Sequence, residues 1–176
     1  MKFVHKKRDI ALWVFLVAVM SRLLPHPSNF TAMQAIVLFG NRWISSPWTT
    51  WSVLLLSQVV TDMCIGFYQG VEFVYLSVIL TGLLANWVGP IRGFRRSLGW
   101  AFLSCVFFFL ISNLGCWKED VYSKDIMGLL HCYAAGFPFL INHLLGTLFY
   151  GFGLDLFLVK QARYQKNGSS FQQAVA

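Results

Sequence analysis

The chain has 176 residues, of which 57% are hydrophobic and 12% are charged, and its net charge at pH 7 is +7. Average soluble domains carry about 25% charged residues, so this composition argues against a soluble domain and indicates a polytopic membrane protein. The positive charge does not indicate a nucleic-acid partner, because Lys and Arg lie between apolar stretches and form no basic face.

Six apolar stretches occupy most of the chain. They are Ile10–Leu24, Phe30–Ile44, Trp48–Phe67, Val71–Val88, Leu98–Leu114 and Met127–Val159. Their lengths lie near the ~20 residues of a spanning helix, and backbone polar groups inside a lipid core must be satisfied within such a helix. The sequence therefore predicts an all-α membrane protein, a bundle of six transmembrane helices over residues 10–160. A basic N-terminus (1–9) and a polar tail (161–176) flank this single domain.

Basic residues collect at alternate ends of these stretches. With the N-terminus in the cytoplasm, 11 of the 14 Lys and Arg residues lie on the cytoplasmic side, and only Arg22, Lys118 and Lys124 lie outside. This asymmetry is the strongest sequence indicator of membrane orientation. It predicts a multi-pass protein of the cytoplasmic (inner) membrane with both termini in the cytoplasm.

The last stretch is too long for one straight span. Its 33 residues would form a helix of ~50 Å, against a hydrocarbon core of ~30 Å. Pro138 removes a backbone donor near its middle and predicts a kink there. We expect a short helix over Met127–Gly136, a kinked spanning part to about Phe157, and irregular backbone within Tyr133–Asn142 that forms the wall of an internal site.

Polar residues inside apolar stretches are costly and therefore candidates for function. Asp62, beside Thr61, is either a ligand for a substrate or cation or an acceptor that fixes its helix to the next loop. Asn113 either faces a cavity or caps its helix. Trp117 either stacks on a flat substrate or belongs to the aromatic belt at the membrane surface.

Histidine and asparagine residues in the last apolar stretch are further polar residues with either a functional or a structural role. His131 and Asn142 are eleven residues apart and share one helical face to within about 20°. His143 is about 100° from Asn142, which places it toward another helix. A histidine within a membrane is more often a hydrogen-bonding strut than a metal ligand, and the sequence predicts no metal site and no cofactor.

Motifs of the common enzyme classes are missing from the sequence. It contains no G-x-x-x-x-G-K-[ST], no G-x-S-x-G and no H-E-x-x-H. The four cysteines show no C-x-x-C spacing, and whether Cys116 pairs with Cys132 stays open. We expect no enzymatic activity, although a membrane enzyme that uses His131 or His143 remains an alternative.

Several separated motifs resemble a small family of bacterial membrane proteins of unknown function. These are Arg22–Thr31, Ala35, Leu38–Gly40, Thr61-Asp62, Gly66–Tyr68, Ser112–Gly115, Trp117, Gly128-Leu129, Cys132-Tyr133, Pro138-Phe139, Asn142 and Gly146. That family is in turn similar in size and topology to the substrate-binding (S) components of energy-coupling factor transporters, which carry vitamins and metal ions.

The resemblance implies a substrate cavity near the outer face. Such a component binds its small-molecule substrate alone, while a separate transmembrane subunit and ATPases supply the energy. S components often carry a small-residue A-x-x-x-A patch on the first helix for docking, whereas in this chain only Ala11 and Ala18 share a face. With the polar residues weighed above, the candidate substrate-binding set is Asn29, Asp62, Asn113, Trp117, His131, Tyr133 and Asn142. The alternatives are an orphan solute transporter acting alone, a membrane enzyme and a structural membrane subunit.

Overall fold

A computed structural model describes residues 7–44, 46–89, 91, 93–119 and 121–175, with side chains for these residues except Lys7, Arg8 and 159–175. The described part is all-α and contains no strand. Its six helices are α1 (Lys7–Leu23), α2 (Met33–Ile44), α3 (Pro47–Ile65), α4 (Val71–Val88), α5 (Phe94–Lys118) and α6 (Ile126–Val175). Each of the six apolar stretches therefore corresponds to one helix.

Three of these helices are long and apolar enough to cross a membrane by themselves. Within the described residues they are α4, α5 and the part of α6 from Ile126 to Leu158. Large apolar side chains such as Trp13, Phe102 and Phe149 are exposed on the outside of the bundle. Exposed apolar surface of this kind suits contact with lipid and supports membrane association.

The shortest helix, α2, is the centre of the bundle. Ten of its twelve residues are buried, and it packs against α1, α3, α4, α5 and α6. Its length of about 18 Å is less than the ~30 Å of a hydrocarbon core. The helix begins at Met33 rather than at Phe30, because residues 24–32 form the connection from α1.

The last helix differs from its predicted form. α6 continues through Pro138 without interruption, and Tyr133–Asn142 is helical throughout, so the prediction of irregular backbone there is wrong. Proline removes one backbone donor, which a helix packed among other helices tolerates. The same helix extends to Val175 and includes most of the predicted tail.

Part of the predicted charge pattern lies outside the described residues. This applies to residues 1–6 of the basic N-terminus and to Arg92, and to the side chains of Lys160, Arg163 and Lys166.

A polar cluster joins α2 to α6 at the end of the bundle where α2 terminates. The Arg42 guanidinium forms an ion pair with the Asp155 carboxylate and donates to the backbone carbonyl of Ile91 at 2.8 Å. The Trp43 indole N–H donates to the other oxygen of Asp155 at 2.6 Å. These contacts hold α2 and α6 together at the end opposite the cavity described next.

Candidate functional site

A cavity of about 690 Å³ opens at the other end of the bundle. Ligand sites for small molecules typically measure ~300–1,000 Å³. All six helices contribute to its wall, each with residues such as Arg22 (α1), Gln34 (α2), Gln58 (α3), Val74 (α4), Asn113 (α5) and His143 (α6). The wall therefore combines several polar groups with an apolar lining.

The α1–α2 connection folds across this cavity and against α6. Among the residues that the structure describes, Asn29 is the one non-glycine residue with a positive φ, which is 65°. Asn adopts this conformation more readily than most residues. A Cβ at Gly146 would lie 2.9 Å from the Thr31 backbone nitrogen. Glycine at this position lets the connection approach α6 closely enough to line the cavity.

The α3–α4 connection forms a second part of the wall, with Tyr68, Gln69 and Gly70. It approaches α5 at Gly115, where a Cβ would lie 3.1 Å from the Gly70 carbonyl oxygen. Partial burial, and secondarily the carboxylate of Asp62, raise the pKa of the Tyr68 phenol. The phenol therefore remains protonated at neutral pH and is available as a hydrogen-bond donor.

A buried ion pair lies beside the cavity. The Arg22 guanidinium donates to one oxygen of the Asp62 carboxylate at 2.6 Å. The other oxygen accepts from the Gln58 amide at 3.0 Å and from the Tyr75 hydroxyl at 2.8 Å. Because Asp62 is fully buried and both of its oxygens are engaged, its charge is balanced inside the protein.

Two side chains on the wall carry buried nitrogen atoms without a hydrogen-bond partner. They are Nε2 of Gln34 and Nε2 of His143, and the side chains are 1% and 5% exposed. The His143 ring stacks on Phe108 with ring centroids 4.6 Å apart. A buried polar group without a partner is uncommon and requires an explanation.

The structure brings three of the predicted site residues to the cavity region. Asn29 and Asn113 line the wall, and the Asn113 amide N–H also donates to the Phe109 carbonyl at 2.9 Å. Asp62 lies behind Arg22 and Gln58 and has no exposed surface. The side-chain partners of its carboxylate lie on α1 (Arg22), α3 (Gln58) and α4 (Tyr75) and not in the loop that follows α3.

The other four predicted residues are not among the described side chains that line the cavity. Trp117 closes the α5–α6 loop by donating to the Ser123 carbonyl at 3.0 Å. The Tyr133 hydroxyl donates to the Leu110 carbonyl at 2.5 Å and joins α6 to α5. His131 is exposed and Asn142 is half-buried. The face of α6 that reaches the cavity carries His143 instead of Asn142.

Sequence reasoning missed several residues of the wall. Gln34 and Gln58 lie within apolar stretches. A polar amide side chain is costly inside such a stretch, and this signal in the sequence could have identified both residues as candidates. Arg22 enters the predictions through the charge asymmetry and through the motif Arg22–Thr31 but not as a site residue, although its partner Asp62 is a predicted one. Glu119 at the end of α5 is a further wall residue that the sequence pattern did not indicate.

No group of three or more His, Cys, Asp or Glu side chains in the described part of the chain could hold a metal ion. Cys64, Cys105, Cys116 and Cys132 are free thiols. The Cys132 thiol contacts the Asn113 carbonyl oxygen at 3.4 Å. The arrangement as a whole suits non-covalent binding of a small polar molecule.

These features define a helical protein of membrane type with a polar cavity at one end. Residues 4–167 match a family described as "Family of unknown function (DUF6580)", and the chain belongs to this family. No curated protein and no solved structure matches the chain.

Proposed function

We propose that this protein binds a small polar solute in the cavity and acts as the substrate-binding component of an uptake transporter that separate subunits energise. The observation that carries the proposal is the cavity of about 690 Å³, to which all six helices contribute polar or apolar wall residues. The similarity to S components of energy-coupling factor transporters, in which the solute is a vitamin or a metal ion, is part of this proposal.

The charge distribution supports an outward-facing cavity. In the proposed topology six helices span the cytoplasmic membrane and both termini are cytoplasmic. The cavity then lies at the outer end of the bundle. Of the Lys and Arg residues in the sequence, only Arg22, Lys118 and Lys124 fall on the outer side of the membrane in this topology. A solute from outside would reach Tyr68 and Glu119 without crossing the membrane.

A solute transporter acting alone is the second candidate, and the burial of small residues on α1 favours it. Ala11 and Ala18 are 8% and 0% exposed, so this pair is covered by the chain itself and is unavailable for docking a partner subunit. The two candidates differ in whether this chain by itself moves its solute across a membrane.

Mass spectrometry of molecules that co-purify with the protein in detergent tests solute binding. The matched variants are Ser112→Trp, which fills the cavity from α5, and Phe102→Trp, which changes an exposed position of the same helix. We expect a ligand on the wild type and on Phe102→Trp but not on Ser112→Trp. Equal occupancy of both variants, or no ligand on any of them, would contradict the proposal.

Uptake by proteoliposomes that contain only this chain separates the two candidates. A substrate-binding component binds the co-purified solute but does not accumulate it inside the vesicles. Accumulation that an ion gradient drives would identify a transporter acting alone.

A further inference from the structure

We infer that the end of the bundle opposite the cavity binds the headgroups of anionic phospholipids. The side chains that carry this inference are Trp48, Trp87, Arg95 and Arg96, which together form the headgroup surface. All four are exposed, and all four can donate hydrogen bonds to phosphate oxygens. The inference goes beyond the proposed function, because it concerns a partner at the other end of the molecule.

The headgroup surface combines the start of α3, the end of α4 and the start of α5. The Asn41 amide on α2 donates to the Asn86 side chain on α4 at 2.6 Å. The Arg42 guanidinium, also near the end of α2, donates to the Ile91 carbonyl in the α4–α5 connection at 2.8 Å. Because α3 begins directly after α2, these contacts place the three parts of the surface at one end of the bundle.

Two indoles mark the level of the headgroups at this end. Trp48 and Trp87 are each 84% exposed, more than any other large hydrophobic side chain in the described part of the chain. The indole N–H groups of Trp43 and Trp117 donate to protein acceptors, whereas among the described residues those of Trp48 and Trp87 do not. An apolar ring with an unused N–H suits the boundary between acyl chains and headgroups.

Two guanidinium groups supply positive charge at the same end. Arg95 and Arg96 lie in the first turn of α5 and are exposed. The arginines that form ion pairs within the described residues are Arg22 and Arg42, so neither arginine of the headgroup surface is neutralised by a described carboxylate. A guanidinium binds a phosphate group through two parallel hydrogen bonds. The phosphate of a lipid headgroup is therefore a suitable partner for each.

The total charge of this end favours an anionic lipid over a zwitterionic one. The helix ends and termini on this side of the sequence contain 11 basic residues and two acidic residues, Asp9 and Asp155, a net charge of +9. The cavity side contains three basic and five acidic residues, a net charge of −2. Asp155 is already engaged by Arg42 and Trp43. A surface of this charge attracts headgroups whose phosphate is not balanced by an ammonium group.

Native mass spectrometry of the purified full chain, delipidated in detergent and titrated with one lipid at a time, tests this preference. The matched probes are dioleoyl phosphatidylglycerol and dioleoyl phosphatidylcholine, which have the same acyl chains, and inorganic phosphate is the free-anion comparator. We expect phosphatidylglycerol to bind about twentyfold more tightly than phosphatidylcholine, since each arginine near an anionic lipid contributes about fivefold. The preference should shrink between about 0.1 M and about 1 M ammonium acetate, because salt screens exposed charges.

Single charge removals locate the contact. Arg95→Gln and Arg96→Gln should each weaken phosphatidylglycerol binding about fivefold and leave phosphatidylcholine binding unchanged. Lys118→Gln is the matched control, because it removes one exposed positive charge at the cavity end, where Glu72 lies 3.7 Å away. This control should change the lipid preference by less than about twofold.

A further pair of variants tests the indole donors. Trp87→Phe keeps an aromatic ring but removes the N–H, so it should weaken the binding of both lipids about threefold. Trp13→Phe is its control, since Trp13 is also exposed, at 52%, but lies within α1 and outside the headgroup surface. It should leave the binding of both lipids unchanged.

Three results would overturn the inference. The first is equal affinity of the wild type for the two lipids, and the second is a preference for phosphatidylglycerol that is unchanged in both arginine variants. The third is inorganic phosphate that binds as tightly as phosphatidylglycerol, which would indicate a site for a free anion. The comparison of the two lipids on the wild type needs no variant and stands even if a variant does not fold. Solute binding in the cavity is measured separately, so the proposed function stands or fails by its own experiment.

Discussion

The guanidinium of Arg22 and the carboxylate of Asp62 form an ion pair 2.6 Å long that joins the end of α1 to α3. Forty residues separate the two in sequence, and the pair is almost completely shielded from solvent. Gln58 and Tyr75 donate to the same carboxylate. The pair therefore fixes three helices, α1, α3 and α4, behind the wall of the cavity.

Replacement of Asp62 should reduce stability. Asp62→Asn removes the negative charge and leaves the Arg22 guanidinium uncompensated, which for a buried pair costs about 3–5 kcal/mol of unfolding free energy. The melting temperature in detergent should fall clearly. The control is Glu72→Gln, which breaks the exposed Lys118–Glu72 pair of 3.7 Å and should cost less than about 1 kcal/mol. Unchanged melting of Asp62→Asn with lost solute binding would instead indicate a direct ligand role.

The proposed topology predicts which connections are accessible from outside. Single cysteines placed in a cysteine-free background at positions 68–71 and 115–125 should react with a membrane-impermeant maleimide in intact cells. Cysteines at positions 90–96 and 162–170 should react only after the membrane is permeabilised. Labelling of 90–96 in intact cells would reverse the assigned orientation, because those residues belong to the basic, cytoplasmic side.

Helix α4 requires a glycine where it meets α3. A Cβ at Gly82 would clash with the ring of Trp51, and a rigid indole in a packed bundle cannot easily move away. Gly82→Ala should therefore cost about 1–3 kcal/mol and lower the melting temperature. Gly99→Ala on α5 is the matched control, since nothing lies within 4 Å of its Cβ position. Equal melting of both variants would show that α3 and α4 are less tightly packed than described.

The start of α6 should depend on pH through Asp125. Its carboxylate accepts from the Gly128 N–H at 2.7 Å and from the Ser123 hydroxyl at 2.8 Å. These two hydrogen bonds, in that order, lower the pKa of Asp125 from its ordinary value of 3.8. Its contribution to stability is therefore complete above the unfolded-state pKa and is lost as the pH falls through the lower folded-state pKa.

Melting of Asp125→Ala and of the wild type measures this contribution. The difference in melting temperature should be present at pH 6 and should shrink progressively below about pH 4. Asp125→Asn keeps an acceptor for the Gly128 N–H but has no ionisable carboxyl, so it should melt closer to the wild type. A difference between wild type and Asp125→Ala that is independent of pH would contradict this role.

The helices could be predicted because lipid-facing stretches must be long and apolar, which is a local property of the sequence. The cavity wall could be predicted only in part. Asn29 and Asn113 lie on it, but Gln34 and His143 depend on how α2 and α6 are rotated within the bundle. That rotation is set by close approaches such as Gly146 against the α1–α2 connection, which no helical periodicity reveals.

The Arg42–Asp155–Trp43 cluster has a consequence for the cavity at the other end of the bundle. It fastens α2 to α6, the two helices that carry Gln34 and His143 on the cavity wall. The relative position of these two wall residues is therefore set in part by contacts that lie outside the cavity.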